Sequence, residues 1–231
     1  SVLQPEFRDW FSPDLQEKIS IIPNVVRQIS AARIARYSRE DTVLSVGRLA
    51  GVKRYGLLIE AWTHIVDEFP GWTVKIFGRG PLQRELESQI AEQGLAGKVR
   101  LMGHTSDIDR EYLTASIVAH PAEHEGWGLA ASEALAAGVP VIGFADCPGI
   151  NHLVQHETNG LLVQGGQDPA KAFAEALAVL MRDESKRLAF AKTAPGTVRD
   201  YRPEKVYDRW ENLLDSPVQI QDSIDLRLAD S

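Results

Sequence analysis

The sequence predicts an α/β protein with an open parallel sheet of about six strands and helices packed on both of its faces. From residue 42 onward, short β-branched runs alternate with longer amphipathic stretches, which is the order of elements found in parallel sheets. The short runs are largely apolar, as expected of strands that helices cover on both sides. The predicted strands are Thr42–Val46, Thr73–Phe77, Val99–Met102, Ile117–Ala119, Val139–Phe144 and Gly160–Val163.

The amphipathic stretches between these strands predict the helices, and glycine or proline turns separate the elements. Residues 1–40 are predicted to form a connector with little sheet of its own. The stretch Arg187–Leu214 predicts one or two final helices, with Pro203 at the start of the last one. After Pro217 the apolar alternation is too weak to assign a structure. The predicted helices between the strands are Tyr55–Glu68, Pro81–Gln93, Asp107–Ala115, Leu129–Ala137, Asn151–Gln155 and Pro169–Met181.

Composition excludes several classes of protein. The 231 residues include 25 basic and 32 acidic side chains, and the net charge of −7 has the wrong sign for a broad nucleic-acid or anionic-membrane surface. Cys147 is the single cysteine, which excludes an intramolecular disulfide and favours a reducing compartment. No apolar run approaches about 18 residues, and the start of the chain lacks a signal-peptide pattern. We therefore expect a soluble, cytoplasmic protein.

The loop after the first predicted strand combines glycines with two cations. Ligands of open parallel sheets bind at the carboxyl ends of the strands, and Gly47-Arg48-Leu49-Ala50-Gly51-Val52-Lys53 occupies such a position. Glycine lets backbone N–H groups approach an anion, and Arg48 and Lys53 add positive charge, a combination that suits a diphosphate. An isolated pair of Arg and Lys side chains is more often simply solvated at the surface. The position of this pair at the end of a strand, however, favours a ligand-binding role.

The second strand leads into Gly78-Arg79-Gly80-Pro81, which resembles the start of a dinucleotide-binding fingerprint. The position of the third glycine is Gln83, and no acidic residue follows Met102-Gly103 to hold a ribose hydroxyl. A tight turn with Pro81 at the first helical position explains these glycines as well as a ligand does. A nicotinamide-dependent domain is therefore disfavoured.

Two glutamates follow the fourth predicted strand. Glu125 lies in a loop whose glycines, Gly126 and Gly128, free backbone N–H groups at a helix start, a place that favours phosphate. Glu133 lies about one turn inside that helix among alanines, where an acid is costly unless it has a partner. Glutamates at this spacing are usually just solvated, but the apolar surroundings of Glu133 favour a role in which the carboxylates accept hydrogen bonds from ligand hydroxyls.

No metal site is predicted. His152 and His156 are separated by four positions but have no clear third ligand, so a surface helix explains them better than zinc.

These motifs belong to a longer series that runs from about Ile21 to Leu214. The series comprises Gly47-Arg48-Leu49 with Lys53, Gly78-Arg79-Gly80, Gly103, Glu125-Gly126-Trp127-Gly128-Leu129 through Glu133-Ala134, Gly138-Val139-Pro140-Val141-Ile142 and Asn159-Gly160-Leu161-Leu162-Val163. In order and spacing it resembles the donor-binding C-terminal domain of the large GT-B family of retaining glycosyltransferases, which includes many sugar transferases of bacterial polysaccharide and glycolipid assembly.

The resemblance implies a Rossmann-like domain, the C-terminal half of a GT-B fold, that binds a nucleoside-diphosphate sugar. It implies that Arg48 and Lys53 neutralise the donor diphosphate, that Glu125 holds hydroxyls of the transferred sugar, and that Glu133 holds the ribose. Neither a metal nor another cofactor is required, because the cationic side chains stabilise the leaving diphosphate. The other donor-binding positions that it implies are Gly47, Gly78, Gly103, His104, Gly126, Trp127, Gly128, Leu129 and Ala130.

The chain departs from the family pattern at three positions. Arg54 stands where the family usually has glycine, Ala122 where it often has serine, and Trp127 where phenylalanine is common. The first two bear on the fine geometry of donor binding.

Full enzymes of this family have a preceding domain of similar size that binds the glycan or lipid-linked acceptor. By the resemblance, residues 1–40 are the end of that domain and the linker, residues 41–200 the nucleotide-sugar domain, residues 201–216 the helix that crosses back, and residues 217–231 a tail. We expect the chain alone to be inactive, and any peripheral membrane association to involve the absent half. A non-hydrolysing nucleotide-sugar epimerase and a non-catalytic nucleotide-binding module are the alternatives.

Overall fold

The computed structural model describes residues 1–215, and within them six parallel strands form one sheet, as the sequence predicts. The sheet order is β3-β2-β1-β4-β5-β6, so the direction in which the sheet grows reverses between β1 and β4. Ligands of such sheets bind at the carboxyl ends of the strands beside this reversal. The strands are β1 (Glu40–Val46), β2 (Thr73–Phe77), β3 (Val99–Gly103), β4 (Ala115–His120), β5 (Val141–Phe144) and β6 (Gly160–Val163).

Helices connect the strands and cover both faces of the sheet. Short 3-10 turns at Gly51–Lys53 and Arg199–Tyr201 precede two of them. The helices are α1 (Pro5–Arg8), α2 (Pro13–Gln16), α3 (Ala31–Ile34), α4 (Tyr55–Thr63), α5 (Gln83–Glu92), α6 (Ile108–Thr114), α7 (Leu129–Ala136), α8 (Ile150–Leu153), α9 (Pro169–Arg182), α10 (Glu184–Thr197) and α11 (Pro203–Asp215).

The apolar runs form strands because both faces of the sheet are covered. All six residues of β4 are buried, and so are all four of β5, which is the pattern of central parallel strands. The largest side chains of the core, Trp62, Phe144 and Phe173 among them, are almost completely shielded from solvent. Burying each such side chain contributes about 1.5–3 kcal/mol or more, so this single core is the main source of stability.

Several predicted ends are wrong, each for a local reason. The predicted helix at Tyr55–Glu68 ends at Thr63 and continues only as turns. The predicted helix at Pro81–Gln93 begins at Gln83, because Pro81 lies in a turn that hydrogen-bonds to the first loop. The strand predicted from Val139 begins at Val141, since Pro140 has no N–H to give to a neighbouring strand.

Residues 1–40 form more structure than a plain connector. They contain the three single-turn helices α1 to α3, and Val2 forms an isolated bridge with Ile21. Val26 is 1% exposed and its N–H donates to the carbonyl of Tyr201 at 2.7 Å. This segment therefore packs against the sheet domain.

The end of the described chain contains two helices, as predicted, and the second begins at Pro203. The first begins at Glu184 instead of Arg187, because the side chain of Asp183 caps it by accepting the N–H of Lys186 at 2.8 Å. The predicted tail, residues 217–231, and the last residue of the predicted crossing segment 201–216 lie outside the described residues. Among residues 1–215 no helix is long and apolar enough to span a bilayer.

Arg39 joins the ends of two helices. One of its guanidinium nitrogens donates to the carbonyls of Tyr112 (2.7 Å) and Ala115 (3.0 Å), and the other to those of Ala137 (2.8 Å) and Gly138 (3.0 Å). These carbonyls lie at the carboxyl-terminal ends of α6 and α7, where helices leave acceptors without partners. Burial lowers the pKa of Arg39 to about 10, so the side chain stays charged.

We predict that Arg39→Ala lowers the free energy of unfolding by about 2–4 kcal/mol, because it leaves four carbonyl groups without their charged donor. Arg39→Lys should recover only part of this loss, since an ammonium group cannot serve both pairs of carbonyls. Urea unfolding measures the effect, and Arg36→Ala, at an exposed position, is the matched control. Equal stabilities of Arg39→Ala and the control would contradict this role of Arg39.

Candidate functional site

Two adjoining cavities open at the carboxyl ends of the central strands. The first has a volume of about 460 Å³ and lies between the loop after β1 and the start of α7. The second, of about 250 Å³, lies on the side of β2 and β3, and Val46 and Gly47 line both. The first is lined by Leu3, Asn24, Val46, Gly47, Lys53, Glu125, Gly126, Trp127, Gly128, Leu129, Ala130 and Glu133, and the second by Val46, Gly47, Phe77, Gly78, Gly103, His104, Thr105 and Ile108.

The structure brings together most of the residues that the sequence singles out. Lys53, Glu125 and Glu133 all line the first cavity. His104 lines the second, which shares a wall with the first. Arg48 lines neither cavity: it is exposed, and it has no ion-pair partner within residues 1–215. The predicted convergence of four charged groups therefore holds for three of them, and the position of Arg48 differs from the expectation.

Glu125 is the most heavily engaged group of the first cavity. Its Oε1 atom forms an ion pair with Nζ of Lys53 and lies 2.9 Å from Nε2 of His120. The side chains are well shielded, with 21% of Lys53, 13% of Glu125 and 4% of His120 exposed. The three residues come from the turn after β1, the loop before α7 and the last position of β4, so the contact joins the segments on both sides of the sheet's reversal.

Burial alone would raise the pKa of Glu125, but the hydrogen bonds and charges of His120 and Lys53 outweigh it and lower this pKa to about 2. Glu125 is therefore an ionised carboxylate at every physiological pH. An ionised carboxylate accepts hydrogen bonds and donates none, so it suits the hydroxyl groups of a ligand.

Glu133 has the partner that its apolar surroundings require. Its carboxylate accepts a hydrogen bond from the hydroxyl of Tyr112 at 3.0 Å, while the residue as a whole is exposed to the cavity side. Partial burial and the negative charge of Asp109 raise the pKa of Glu133, and the Tyr112 hydrogen bond and the charge of Arg27 oppose this rise. Glu133 thus offers a second set of acceptor oxygens, away from the cation that holds Glu125.

The glycines of the first two loops permit the loops to touch. A Cβ atom on Gly78 would lie far inside the van der Waals distance of the Gly47 carbonyl oxygen, and one on Gly80 would strike the backbone of Leu49. The N–H of Leu49 also donates to the carbonyl of Arg79 at 3.0 Å. The close approach of two backbones therefore accounts for these glycines, and Gly78 additionally lines the second cavity.

The backbone conformation of Arg54 shows why the family usually has glycine at this position. Its backbone is left-handed, with φ 51° and ψ 39°, at the start of α4. Such a conformation costs a residue with a side chain about 1–2 kcal/mol. The guanidinium group lies 4.9 Å from the centre of the Phe144 ring, and this contact offsets part of the cost, by about 0.5–1 kcal/mol.

Within residues 1–215, no cluster of three or more His, Cys, Asp or Glu side chains has the geometry of a metal site. His152 lies 3.2 Å from the hydroxyl of Tyr201, and Nδ1 of His156 accepts the N–H of Leu162 at 3.0 Å. Both histidines therefore make ordinary protein contacts.

Several contributors to the site escape the sequence analysis. His120 directly follows the apolar residues Ile117–Ala119 and lies five positions before Glu125, and a polar residue at that place could have marked it. Tyr112 gives no local signal, because its contact with Glu133 depends on the packing of α6 against the site. Leu3 and Asn24 come from the predicted connector, and the side chain of nearby Gln4 donates to the carbonyl of Gly126 at 3.4 Å.

Fold and site together define a Rossmann-like α/β domain whose cleft offers an ammonium group, two carboxylates and glycine-rich backbone at one sheet edge. The family model described as glycosyl transferases group 1 matches residues 26–197. The chain belongs to this family, and its sheet is the C-terminal half of the GT-B fold, as the motifs indicate.

Curated relatives agree with this assignment. The chain is 29% identical over 173 residues to an uncharacterized glycosyltransferase of Haemophilus influenzae, and the matched region covers 75% of this chain and 48% of the relative. It is 30% identical over 188 residues to D-inositol 3-phosphate glycosyltransferase of Corynebacterium urealyticum, with coverages of 78% and 42%. A poly(glycerol-phosphate) alpha-glucosyltransferase of Bacillus subtilis is 26% identical, with coverages of 89% and 30%. The chain spans less than half the length of each of these relatives.

Solved structures share the fold at low identity. TarM of S. aureus, in a complex that contains UDP, superposes with a TM-score of 0.82 at 23% identity, covering 93% of this chain and 43% of TarM. The pneumococcal O-GlcNAc transferase GtfA, with UDP and GlcNAc, gives 0.80 at 21%, with coverages of 92% and 44%. The C-terminal domain of a glycosyl transferase group 1 protein from Francisella tularensis gives 0.65 at 23%, covering 77% of this chain and 97% of that domain.

We predict that Gly78→Ala lowers the free energy of unfolding by at least about 2 kcal/mol, because the new Cβ atom forces the two loops apart. Gly51→Ala is the control: it lies in the same region, and a Cβ atom there meets no other atom within 4 Å. Urea unfolding of both variants measures the difference, and equal stabilities would show that the loop contact is dispensable.

The low pKa of Glu125 makes part of the stability depend on pH. Its pKa is about 2 in the fold against 4.5 without partners. The contribution of this carboxylate to the free energy of unfolding is therefore complete above about pH 4.5 and is lost as the pH falls towards 2. The shift corresponds to at most about 3 kcal/mol. The difference in unfolding free energy between wild type and Glu125→Gln should therefore shrink from about pH 5 to about pH 3. Glu92→Gln, at an exposed position on α5, is the control, and a constant difference for Glu125→Gln would contradict the ion-pair assignment.

Proposed function

We propose that the chain is the donor-binding part of a retaining glycosyltransferase that moves a sugar from a nucleoside-diphosphate sugar to a glycan or glycolipid acceptor. The observation that carries the proposal is the pair of adjoining cavities at the sheet's reversal, one with Lys53, Glu125 and Glu133 and the other apolar. Family membership supports the type of reaction. The UDP in the structures of TarM and GtfA supports a nucleotide donor.

In this proposal the donor extends across both cavities. The base occupies the second cavity, beside Gly103 and His104, and the ribose hydroxyls bind Glu133. The diphosphate lies over Gly47 and against the backbone N–H groups at the start of α7, where Gly128 has a left-handed backbone and the helix N-terminus favours an anion. The transferred sugar then reaches Glu125, and the backbone of Gly126, Trp127, Leu129 and Ala130 completes the wall.

Breaking the bond between the anomeric carbon and the diphosphate leaves negative charge on the departing phosphate. Lys53, the start of α7 and Arg48 would stabilise this charge through groups already in place, which is how preorganised sites accelerate reactions. Arg48 is free of ion pairs among residues 1–215 and exposed on the first loop, so it can turn towards the phosphates without breaking a contact. We propose that these cations make a metal ion unnecessary.

The acceptor is proposed to bind to the half of the enzyme that the longer relatives possess and this chain does not span. By this proposal the isolated chain binds the donor but does not transfer the sugar. Cytoplasmic location, and contact of the intact protein with the inner face of a membrane, stay predictions.

Calorimetry with UDP, GDP, ADP and NAD tests the proposal. We expect at least one nucleoside diphosphate to bind and NAD to be rejected. Charge-assisted hydrogen bonds contribute about 1.5–3 kcal/mol each, so Arg48→Ala, Lys53→Met and Glu133→Ala should each weaken that binding by about ten-fold or more. Lys192→Met, at an exposed position on α10, is the matched control. Tight binding of NAD alone, or wild-type affinity in all three variants, would reject the proposed donor site.

A further inference from the structure

The ion pair between Lys53 and Glu125 joins two groups that the proposed donor site needs for different parts of the donor. Both side chains line the first cavity and are largely shielded from solvent, with 21% of Lys53 and 13% of Glu125 exposed. Among the described residues, Glu125 is the acidic side chain with which Lys53 forms an ion pair. In the free protein, therefore, the ammonium group that should serve the diphosphate is held by the carboxylate that should serve the sugar.

The position of Lys53 allows its ammonium group to serve either partner. Its Cε atom lies 3.4 Å from the point where a Cβ atom of Gly47 would stand, so the side chain passes beside the backbone over which the diphosphate is proposed to lie. The two loops are also joined through their backbones, because the N–H of Glu123 donates to the carbonyl of Val52 at 3.0 Å. This hydrogen bond still joins the loops when the ion pair opens.

A free nucleoside diphosphate opens the ion pair without replacing it. Its terminal phosphate competes with Glu125 for the ammonium group of Lys53, and it brings no sugar hydroxyl that could donate to the carboxylate instead. Glu125 is then a shielded anion beside another anion, and an ionised group that loses its partner in a shielded place is strongly unfavourable. The charge of Glu125 therefore lowers the affinity for a free nucleoside diphosphate.

A sugar nucleotide replaces what it removes. In the proposed site its sugar reaches Glu125, and the sugar hydroxyls donate to the carboxylate when Lys53 turns to the phosphates. Hydrogen bonds to an ionised acceptor are stronger than those to a neutral one. The diphosphate of a sugar nucleotide also carries less negative charge near neutral pH than a free nucleoside diphosphate, because its terminal phosphate is esterified. The charge of Glu125 therefore favours the sugar nucleotide.

We infer that Glu125 discriminates between the sugar nucleotide and the nucleoside diphosphate that remains after transfer, because it gives up Lys53 without loss only when sugar hydroxyls take the place of that ammonium group. The inference rests on the proposed function. No covalent bond changes in this step, since the carboxylate exchanges one hydrogen-bond donor for others. Once the sugar has been transferred, Glu125 binds Lys53 again and promotes the release of the nucleoside diphosphate.

Calorimetry of this chain with UDP and UDP-glucose, GDP and GDP-mannose, and ADP and ADP-glucose tests the inference. For the pair of probes that binds, Glu125→Gln should raise the affinity for the nucleoside diphosphate by about three-fold or more, because Lys53 is no longer held. The same substitution should lower the affinity for the sugar nucleotide by about three-fold or more, because the hydroxyls lose an ionised acceptor. The two affinities thus change in opposite directions.

Glu123→Gln is the matched control. It removes the same charge from an exposed position of the same loop. Both affinities should stay within about two-fold of the wild type, because exposed charges that do not touch the ligand are screened by solvent and salt. Thermal unfolding of each variant verifies that it is folded.

A second substitution isolates the contribution of Lys53. In the Lys53→Met background there is no ion pair to open, so Glu125→Gln should raise the affinity for the nucleoside diphosphate by less than it does in the wild type. The difference between the two backgrounds measures the coupling between Lys53 and Glu125. An equal gain in both backgrounds would show that the carboxylate only repels the phosphate, and it would overturn the inference.

The outcomes distinguish this inference from the proposed function. Failure of the wild type to bind any of these probes overturns both. If the wild type binds and the two affinities of Glu125→Gln fall together, rise together, or differ from the wild type for the sugar nucleotide alone, the inference is overturned and the donor site stands. Opposite changes in Glu125→Gln, absent in Glu123→Gln and reduced without Lys53, support the discrimination by Glu125.

Discussion

The contact that Lys53 and His120 make with one oxygen of Glu125 sets the charge balance of the cleft. The carboxylate is 13% exposed, and burial opposes its ionisation, so it depends on its two partners to remain charged. The partners come from opposite sides of the sheet's reversal, after β1 and at the end of β4. The same contact therefore fixes both the protonation state of the site and the distance between the two loops that form it.

This contact depends on backbones that approach one another closely. Gly78 and Gly80 let the loop after β2 lie against Gly47 and Leu49. On the other side, Gly149 has φ +80°, and a Cβ atom there would come within 2.8 Å of the carbonyl oxygen of Glu125. Side chains at these positions would move the loops, and the charged groups with them. The glycines of these loops thus act indirectly: they determine the path of the backbone, and the backbone determines where Lys53 and Glu125 can lie.

The sequence predicts the sheet well because its signals are local. Apolar runs bounded by turns identify all six strands, and the start of β5 differs, Val141 against the predicted Val139, because Pro140 interrupts the pattern. The family motifs place Lys53, Glu125 and Glu133 in one cleft. They do not predict the direction of Arg48, because spacing in a loop does not determine where a side chain points, and the 3-10 turn at Gly51–Lys53 directs Lys53 alone towards Glu125. Contacts such as Tyr112 with Glu133 arise only from packing.

The two end segments of the described chain also shape the cleft. Leu3 and Asn24 form part of the wall of the first cavity, and Val26 donates to the carbonyl of Tyr201 in the turn before α11. The ring of Tyr201 meets Trp127 edge-on, with 4.8 Å between the ring centres, and Trp127 lies in the loop of Glu125. The N-terminal segment, the turn before α11 and the loop of Glu125 are therefore one packed unit. A shift of either end segment therefore changes the shape of the first cavity through backbone and aromatic contacts, and a shift of the N-terminal segment also moves Arg27, whose charge acts on Glu133.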